Sequence, residues 1–204
     1  MTGRQHKVSE NTPTLETNRL VLRRFEPSDL NDLFLILCDE EVNTFLPWFP
    51  VKSLEETAVI LQNGYLKHYQ KETAYVYAVC LRADNRPIGY VDLSDSESND
   101  FGYGLRKDFW HQGIATEACA AVIQRLKLAG YPFITATHDV NNPASGNVMK
   151  RLGMKYCYSY TELWQPKNIT VTFRMYQLNL DGVPDRIYKG YSEKYPDHFI
   201  ETDV

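Results

Sequence analysis

The sequence predicts an α/β fold of the α+β kind: a mixed, mostly antiparallel sheet of about seven strands with helices packed against it. Three observations predict it. Between Tyr75 and Arg106 three short apolar runs are separated by turn residues, as in an antiparallel meander. A glycine turn at Trp110–Gly113 then runs directly into an amphipathic stretch that ends at Gly130. Phe133 to Leu178 follows with a strand, a short capped helix and two further strands joined by Gln165-Pro166-Lys167-Asn168.

Taken in order, residues 1–13 are polar and are expected to be flexible, and one domain is expected over 14–180. Leu15 to Phe25 reads as the first strand, with Leu20, Val21 and Leu22 ahead of Arg23-Arg24. Glu26-Pro27-Ser28-Asp29-Leu30 ends it, and Ser28 is placed to cap a helix whose Leu30, Leu33, Phe34 and Leu37 share one face. Asp39 to Pro50 is a loop rich in aromatic residues, Phe45, Trp48 and Phe49. Ser53 caps a long helix reaching Gln70, with Glu56 at the capping-box position. Gly64 inside that helix costs about 1 kcal/mol relative to Ala.

Tyr75–Leu81 is almost continuously apolar, which suits a central strand. Pro87–Leu93 is its partner across the Asp84-Asn85 turn, and Asp100–Arg106 completes the meander beyond a polar loop. Phe133–His138, Met154–Leu163 and Ile169–Leu178 are the later strands, with a helix from Asn142 to Leu152. Residues 181–204 change character: Tyr188, Tyr191, Tyr195 and Phe199 recur at helical spacing among charges and prolines. They read as a tail packed on the domain or on a partner, either a dimer contact or a wall of the acceptor site.

With 204 residues, 43% of them hydrophobic and 24% charged, the chain has enough apolar material for one sizeable core. A net charge of −4 leaves no electrostatic footprint for nucleic acid. The first ten residues, MTGRQHKVSE, hold no apolar signal region, and no run reaches membrane-spanning length. A cytoplasmic protein with no membrane association is therefore expected. Cys38, Cys80, Cys119 and Cys157 lie far apart and read as free thiols. The five histidines are scattered, so no metal site is expected.

A helix that begins on the Gly113 turn aims free N–H groups and the positive end of its dipole at one point, which suits a phosphate. Gly113 lets the backbone bend or a ligand approach closely, Ala115 is small, and Thr116 is placed to cap. The dipole supplies only about 0.3–1 kcal/mol per charge, so several N–H bonds must supply the rest. A helix that merely starts after a glycine explains the same residues. The chain has no G-x-x-x-x-G-K-[ST], and Gly102 and Gly104 sit in the preceding strand rather than in a G-x-G-x-x-G turn. A second start signal follows in His138–Tyr156: Asn142 as cap, Pro143 at the first helical position, and Gly153 as the stop.

Together the two stretches resemble the motifs of the GNAT superfamily of acyl-CoA N-acyltransferases, over roughly residues 14 to 180. The family's pyrophosphate signature, [RQ]-x-x-G-x-[GA], is matched at Gly113 and Ala115, with Trp110 in place of its first residue. Trp110 with the ATEA at Ala115–Ala118, and Asn142-x-x-Ser145 followed by Arg151-Leu152-Gly153-Met154, resemble the branch of ribosomal-protein N-terminal (alanine) acetyltransferases. The resemblance implies helices on both faces of a sheet splayed at the cofactor, acetyl-CoA as co-substrate, and an amine acceptor. It places the backbone of Tyr103 and Leu105 on the pantetheine and thioester. His111, Gln112, Gly113, Ile114, Ala115 and Thr116 go to the pyrophosphate, and Asn142, Ser145 and Asn147 to the second motif's part of the cofactor site. Gly102 and Gly104 would admit cofactor or acceptor, and a sheet bulge would equally account for them.

Acetyl transfer from a thioester needs the amine deprotonated and the leaving thiolate protonated. A model α-amine has a pKa of about 7.7–8.0 and Lys about 10.4, so at pH about 7.4 the neutral form costs roughly 0.5–1 kcal/mol for the first and about 4 for the second. A protein or peptide N-terminus is the favoured acceptor. A small-molecule amine such as a polyamine or aminoglycoside is the alternative, and a non-catalytic CoA-binding module a second. Asp100, at the mouth of the splayed strand, is the first candidate base, with Glu162 or Asp92 able to substitute. Met149 stands where many family members carry a tyrosine acid, so Ser145 is the candidate for protonating the thiolate, a role its counterpart can take in the ribosomal-protein branch. A purely structural place in the first turn of its helix would also occupy Ser145. The chain is expected to be a monomer or a homodimer.

Overall fold

The computed structural model describes residues 10–204. The segment expected as one strand from Leu15 is a hairpin, β1 (Leu15–Glu16) and β2 (Leu20–Arg23), because Thr17 turns the chain and its N–H donates to the Leu20 carbonyl. β3 (Val76–Leu81), β4 (Pro87–Leu93) and β5 (Phe101–Leu105) extend it into an antiparallel sheet of order β1-β2-β3-β4-β5. β3 is buried along nearly its whole length, as its apolar run requires. β6 (Phe133–Asp139), β7 (Lys155–Trp164), β8 (Ile169–Asn179) and β9 (His198–Phe199) form a second sheet, of order β6-β8-β7-β9.

The two sheets touch at one parallel bridge, Asp100 with Thr135, where the Thr135 N–H donates to the Asn99 carbonyl at 3.2 Å. No ladder joins β5 to β6 beyond that point among the described residues. The two sheets therefore part on leaving this single bridge.

Helices cover both faces. α3 (Ile114–Leu128) and α4 (Pro143–Arg151) close a core of Leu20, Leu22, Tyr77, Val91, Phe101 and Ile134. α1 (Leu30–Leu37) and the chain after α2 (Leu54–Ile60) close a second core around Phe25, Val76, Ala78 and Tyr90. At about 1.5–3 kcal/mol for each fully buried aliphatic side chain, the first core, which draws on both sheets, holds the halves together, while the second packs the helices onto the first sheet alone.

Three local expectations change. Ser28 lies inside a short turn, and Asp29 is the capping side chain: its carboxylate accepts the Glu26 N–H at 2.8 Å and is clamped by both terminal nitrogens of Arg23 at 2.7 and 2.9 Å. That buried ion pair fixes Asp29 in a way no exposed serine could match. The long helix expected to Gln70 is regular only through α2. Leu61–Tyr65, which contains Gly64, widens into a π turn, and Leu66–Gln70 tightens into a 3-10 turn. The weak helix preference of glycine allows the break. Tyr69 fixes the new path, its hydroxyl donating to the Val76 carbonyl and accepting the Phe25 N–H, each at 2.9 Å. Of the 1–13 segment expected to be flexible, residues 1–9 lie outside the described residues. Asn11 and Thr12 are buried and bonded to His68, Lys71 and Ala74.

The last stretch packs onto the second sheet as α5 (Gly190–Lys194) and β9, which pairs antiparallel with β7. None of the described helices is long and apolar enough to cross a membrane.

Candidate active site

The glycine turn is held open by its own geometry. Gly113 is the N-cap of α3 with φ +74°, a conformation that costs other residues about 1–2 kcal/mol. Having no side chain, it leaves the N–H groups of Ile114, Ala115 and Thr116 uncapped from below. Thr116, expected to cap, sits inside the first turn instead. His111, Gln112 and Gly113 are exposed, Ala115 and Thr116 half-buried, and Ile114 is in the core, so Ile114 offers a ligand only its backbone.

Two supports of this turn were not legible in the sequence. Arg19, from the β1–β2 hairpin, donates to the Gln112 carbonyl at 2.9 Å and pairs with Glu117 on α3. Trp110, the residue that departs from the family signature, donates its indole N–H to the Leu105 carbonyl at 2.7 Å and ties the turn to β5.

β5 presents its free edge to the gap. Ladder bonds alternate in an antiparallel pair. Ser94 donates to Asp100, and Arg106 to Ile88, so Asp100, Gly102, Gly104 and Arg106 spend their backbone groups on the β4 side. Phe101, Tyr103 and Leu105 therefore turn N–H and C=O toward the splay. The two glycines serve β4 as well: a Cβ on Gly102 would stand 2.8 Å from the Asp92 carboxylate, and one on Gly104 2.5 Å from the Tyr90 ring. The close approach they permit, expected for cofactor or acceptor, is made by those two side chains.

On α4, Asn142 is the cap, its side-chain oxygen accepting the Ser145 N–H at 3.3 Å. Ser145 keeps its hydroxyl for another partner. The Tyr103 phenol crosses from β5, donates to the Ser145 carbonyl at 2.9 Å and lies 2.9 Å from Ser145 Oγ. Burial pushes the Tyr103 phenol far above its ordinary pKa, so it stays protonated. Met149 is packed in the core, and Asn147 is exposed. The tyrosine missing from the motif is thus matched by one arriving from the neighbouring strand, a juxtaposition no spacing in the sequence could show.

Asp92 and Asp100 lie on the face of β4 and β5 opposite the Tyr103 phenol. Each keeps a little solvent contact but is surrounded by protein, as the floor of a cleft would be. Burial pushes Asp92 up to about 6. Burial, and next the charge of Asp92, push Asp100 up to about 7, against the opposing influence of Tyr191 and Thr135. The Thr135 hydroxyl stands 3.5 Å from Asp100 Oδ1. The charge of Asp92 thus bears on the titration of Asp100. Glu162, the other alternative, lies on β7 beside Tyr195.

The site therefore combines an uncapped helix N-terminus suited to phosphate, a free strand edge suited to amides, two hydroxyls in contact, and a carboxylate pair with proton affinity near neutrality. These features fit acetyl-CoA. The pyrophosphate would lie on the turn after Gly113 and the pantetheine amides on the edge of β5.

Comparison with known proteins agrees. Residues 19–155 match the family model described as an acetyltransferase (GNAT) domain. A curated relative, the uncharacterized N-acetyltransferase YoaA of Bacillus subtilis (strain 168), is 23% identical over 148 residues, covering 70% of this chain and 83% of its own length. Among solved structures, RimL, a ribosomal L7/L12 alpha-N-protein acetyltransferase in complex with coenzyme A, superposes with a TM-score of 0.73 at 23% identity, over 83% of this chain and 99% of its own. A GNAT-family acetyltransferase from Bacillus anthracis gives 0.72 at 20% identity, with the same coverage. The chain belongs to the acetyltransferase (GNAT) family and is an acetyl-CoA-dependent acyltransferase.

Proposed function

We propose that the acceptor is the α-amine of a protein or peptide N-terminus, and that residues 14–180 form the acetyltransferase domain. The observation that carries this reading is the carboxylate pair. Asp100, raised to about 7, is matched to an α-amine of pKa about 8, and poorly matched to a lysine near 10.4. The structural likeness to RimL points the same way.

In this reading Asp100 takes a proton from the bound ammonium, directly or through one water. The neutral nitrogen attacks the thioester carbon while backbone N–H groups on the β5 edge at Tyr103 and Leu105 polarise the carbonyl oxygen. The C–N bond forms and the C–S bond breaks. Ser145, in contact with Tyr103, gives a proton to the departing thiolate. The proton that the nitrogen sheds in becoming an amide balances that one, and the proton on Asp100 returns to water. Asn142 fixes the helix turn that presents Ser145, while Gly113 and the N–H groups after it hold the pyrophosphate.

The test is release of free CoA across a panel: peptides with different first residues, the same peptides N-acetylated but bearing lysine, polyamines and aminoglycosides. Turnover confined to free α-amines is expected. Turnover of polyamines or aminoglycosides with none on peptides would replace this reading with the small-molecule one.

A further inference from the structure

His138 takes no part in the proton transfers, yet it braces the helix start that carries Ser145. It lies near the end of β6 and is 4% exposed. Its Nδ1 stands 2.8 Å from the Asp139 carbonyl oxygen, and the Asn142 N–H donates to that same oxygen at 2.8 Å. A carbonyl only accepts, so Nδ1 carries the ring proton and Nε2 the lone pair. Burial holds the imidazole below its ordinary pKa, so the ring is neutral at pH 7.

The opposite edge of the ring meets α4. Nε2 is buried, with no hydrogen-bond partner among the described residues. It faces the backbone of Gly146: a Cβ there would stand 2.6 Å from Nε2, 2.8 Å from Cε1 and 3.2 Å from Cδ2. The ring is not free to swing aside. Nδ1 is bonded, and Tyr176 of β8 packs against it with centroids 5.6 Å apart. Gly146 therefore lets α4 sit closer to β6 than a residue with a side chain would.

His138 thus spans both ends of one short segment. Its protonated edge fixes Asp139 and, through the shared carbonyl, Asn142, whose side chain caps Ser145. Its bare edge sets the height of Gly146, the residue after Ser145. We infer that His138 is a positioning residue for acetyl transfer: wedged between Asp139 and Gly146, the imidazole holds Ser145 against Tyr103, where its hydroxyl serves the departing thiolate. The inference rests on Ser145 being the proton donor. The fit of ring to glycine carries it, since a histidine needed only for the Asp139 bond would not require a glycine at 146.

Gly146→Ala, Gly146→Ala/His138→Asn and Ser145→Ala/Gly146→Ala are compared in the full chain, with kcat per folded molecule, the KM for acetyl-CoA and Tm measured on the same samples. In Gly146→Ala the methyl meets the ring and lifts the first turn of α4. kcat should fall roughly tenfold, with the KM for acetyl-CoA changed by less than about threefold. Asn places its amide nitrogen near the position of Nδ1 and has no far ring edge. The double variant with His138→Asn therefore keeps the Asp139 bond, makes room for the methyl and should recover most of the lost kcat. In Ser145→Ala/Gly146→Ala the methyl should cost no further kcat, because the hydroxyl it displaces is already gone. Wild-type kcat in Gly146→Ala overturns the inference, as does a loss that His138→Asn does not relieve, or one that adds in full to that of Ser145→Ala. If Gly146→Ala does not fold, His138→Ala against His138→Asn decides: kcat should fall further in the first, and equal values overturn the inference. Wild-type kcat in Ser145→Ala overturns the proton-donor reading itself, a result distinguishable from all of these.

Discussion

On the α3–α4 side of β5 the proposed site is made from runs of neighbouring residues; on the other side it is made from side chains that meet only after folding. The first side takes Trp110 through Thr116 as one turn and Asn142 through Ser145 as another. The second takes Asp92, Asp100 and Thr135 from three separate segments. Backbone N–H groups at a helix start grip a phosphate whatever surrounds them, so that side is a property of local sequence. A carboxylate near neutrality is a property of its neighbourhood, and its chemistry belongs to the assembled fold.

Breaking the local side should give the largest effect. Gly113→Val forces a branched residue into φ +74°. The nearest atom to an added Cβ is Arg19 Nη2 at 3.7 Å, so the turn has room and the damage is conformational. Losing two or more charge-assisted bonds of about 1.5–3 kcal/mol each should weaken acetyl-CoA binding by roughly 10²–10⁴-fold with a folded chain. Calorimetry beside circular dichroism checks it; near-wild-type affinity would show that this turn does not hold the phosphates.

The assembled side gives the second effect, and its sign opposes intuition. Asp100 has a folded pKa near 7 against an unfolded value near 3.9, so the native state holds its proton longer than the unfolded chain. Stability therefore declines as pH rises from about 4 to about 7 and is flat above. Asp100→Asn removes that penalty. It should raise stability at pH 8 by on the order of 1–3 kcal/mol, with little change at pH 4. kcat should fall about 10²-fold, the low end for a lost general base, because an α-amine is already partly neutral. Melting temperatures at the two pH values test the first claim; an equal shift at both would mean the carboxylate is not strained by burial.

The same division explains what could be read in advance. The meander, the Gly113 turn and the Asn142-Pro143 start follow from periodicity and capping, and the structure places them where the spacing does. The chain departs from its local signals at Ser28 and along the helix to Gln70 because Arg23 and Tyr69 decide those segments from a distance. Asp92 and Asp100 could be named as carboxylates near a strand end. The burial that raises them, and the arrival of Tyr103 at Ser145, depend on register and on tertiary packing, which no local window contains.

Ser145→Ala probes where the two kinds of construction meet, since Ser145 is set by a local cap and touched by a remote phenol. The capping bond is made by the Ser145 N–H, which alanine retains, so the stability loss should be small. kcat should fall by about 10²-fold or less, with the KM for acetyl-CoA nearly constant, as expected when a weak hydroxyl donor to the thiolate is lost. If kcat per folded molecule stays within about twofold, the thiolate takes its proton elsewhere and the Tyr103–Ser145 contact is structural.

The smallest effect sharpens the comparison furthest from the chemistry. Lys167, at the tip of the β7–β8 hairpin, donates its ammonium to the Asn43 and Thr44 carbonyls at 3.0 and 3.1 Å, joining the hairpin to the aromatic loop after α1. The loop does not depend on that bond for its shape. The Asn43 side-chain amide donates to the Ile36, Leu37 and Asp39 carbonyls at 3.0, 3.2 and 2.8 Å, and its oxygen accepts the Trp48 indole N–H at 3.1 Å. Lys167→Met keeps the stem and removes the ammonium, so the Asn43 and Thr44 carbonyls lose their shared donor. The loop and hairpin should then move independently while each stays folded. If together they frame the path of the acceptor, the acceptor KM should rise about 3–10-fold, the equivalent of roughly one net hydrogen bond. The Kd for acetyl-CoA should not change, because neither Lys167 nor its two acceptor carbonyls belongs to the Gly113 turn or to β5. Steady-state kinetics with the acceptor varied, beside acetyl-CoA titration of the same protein, separates the two. An unchanged acceptor KM would place the Lys167 contact outside the acceptor path.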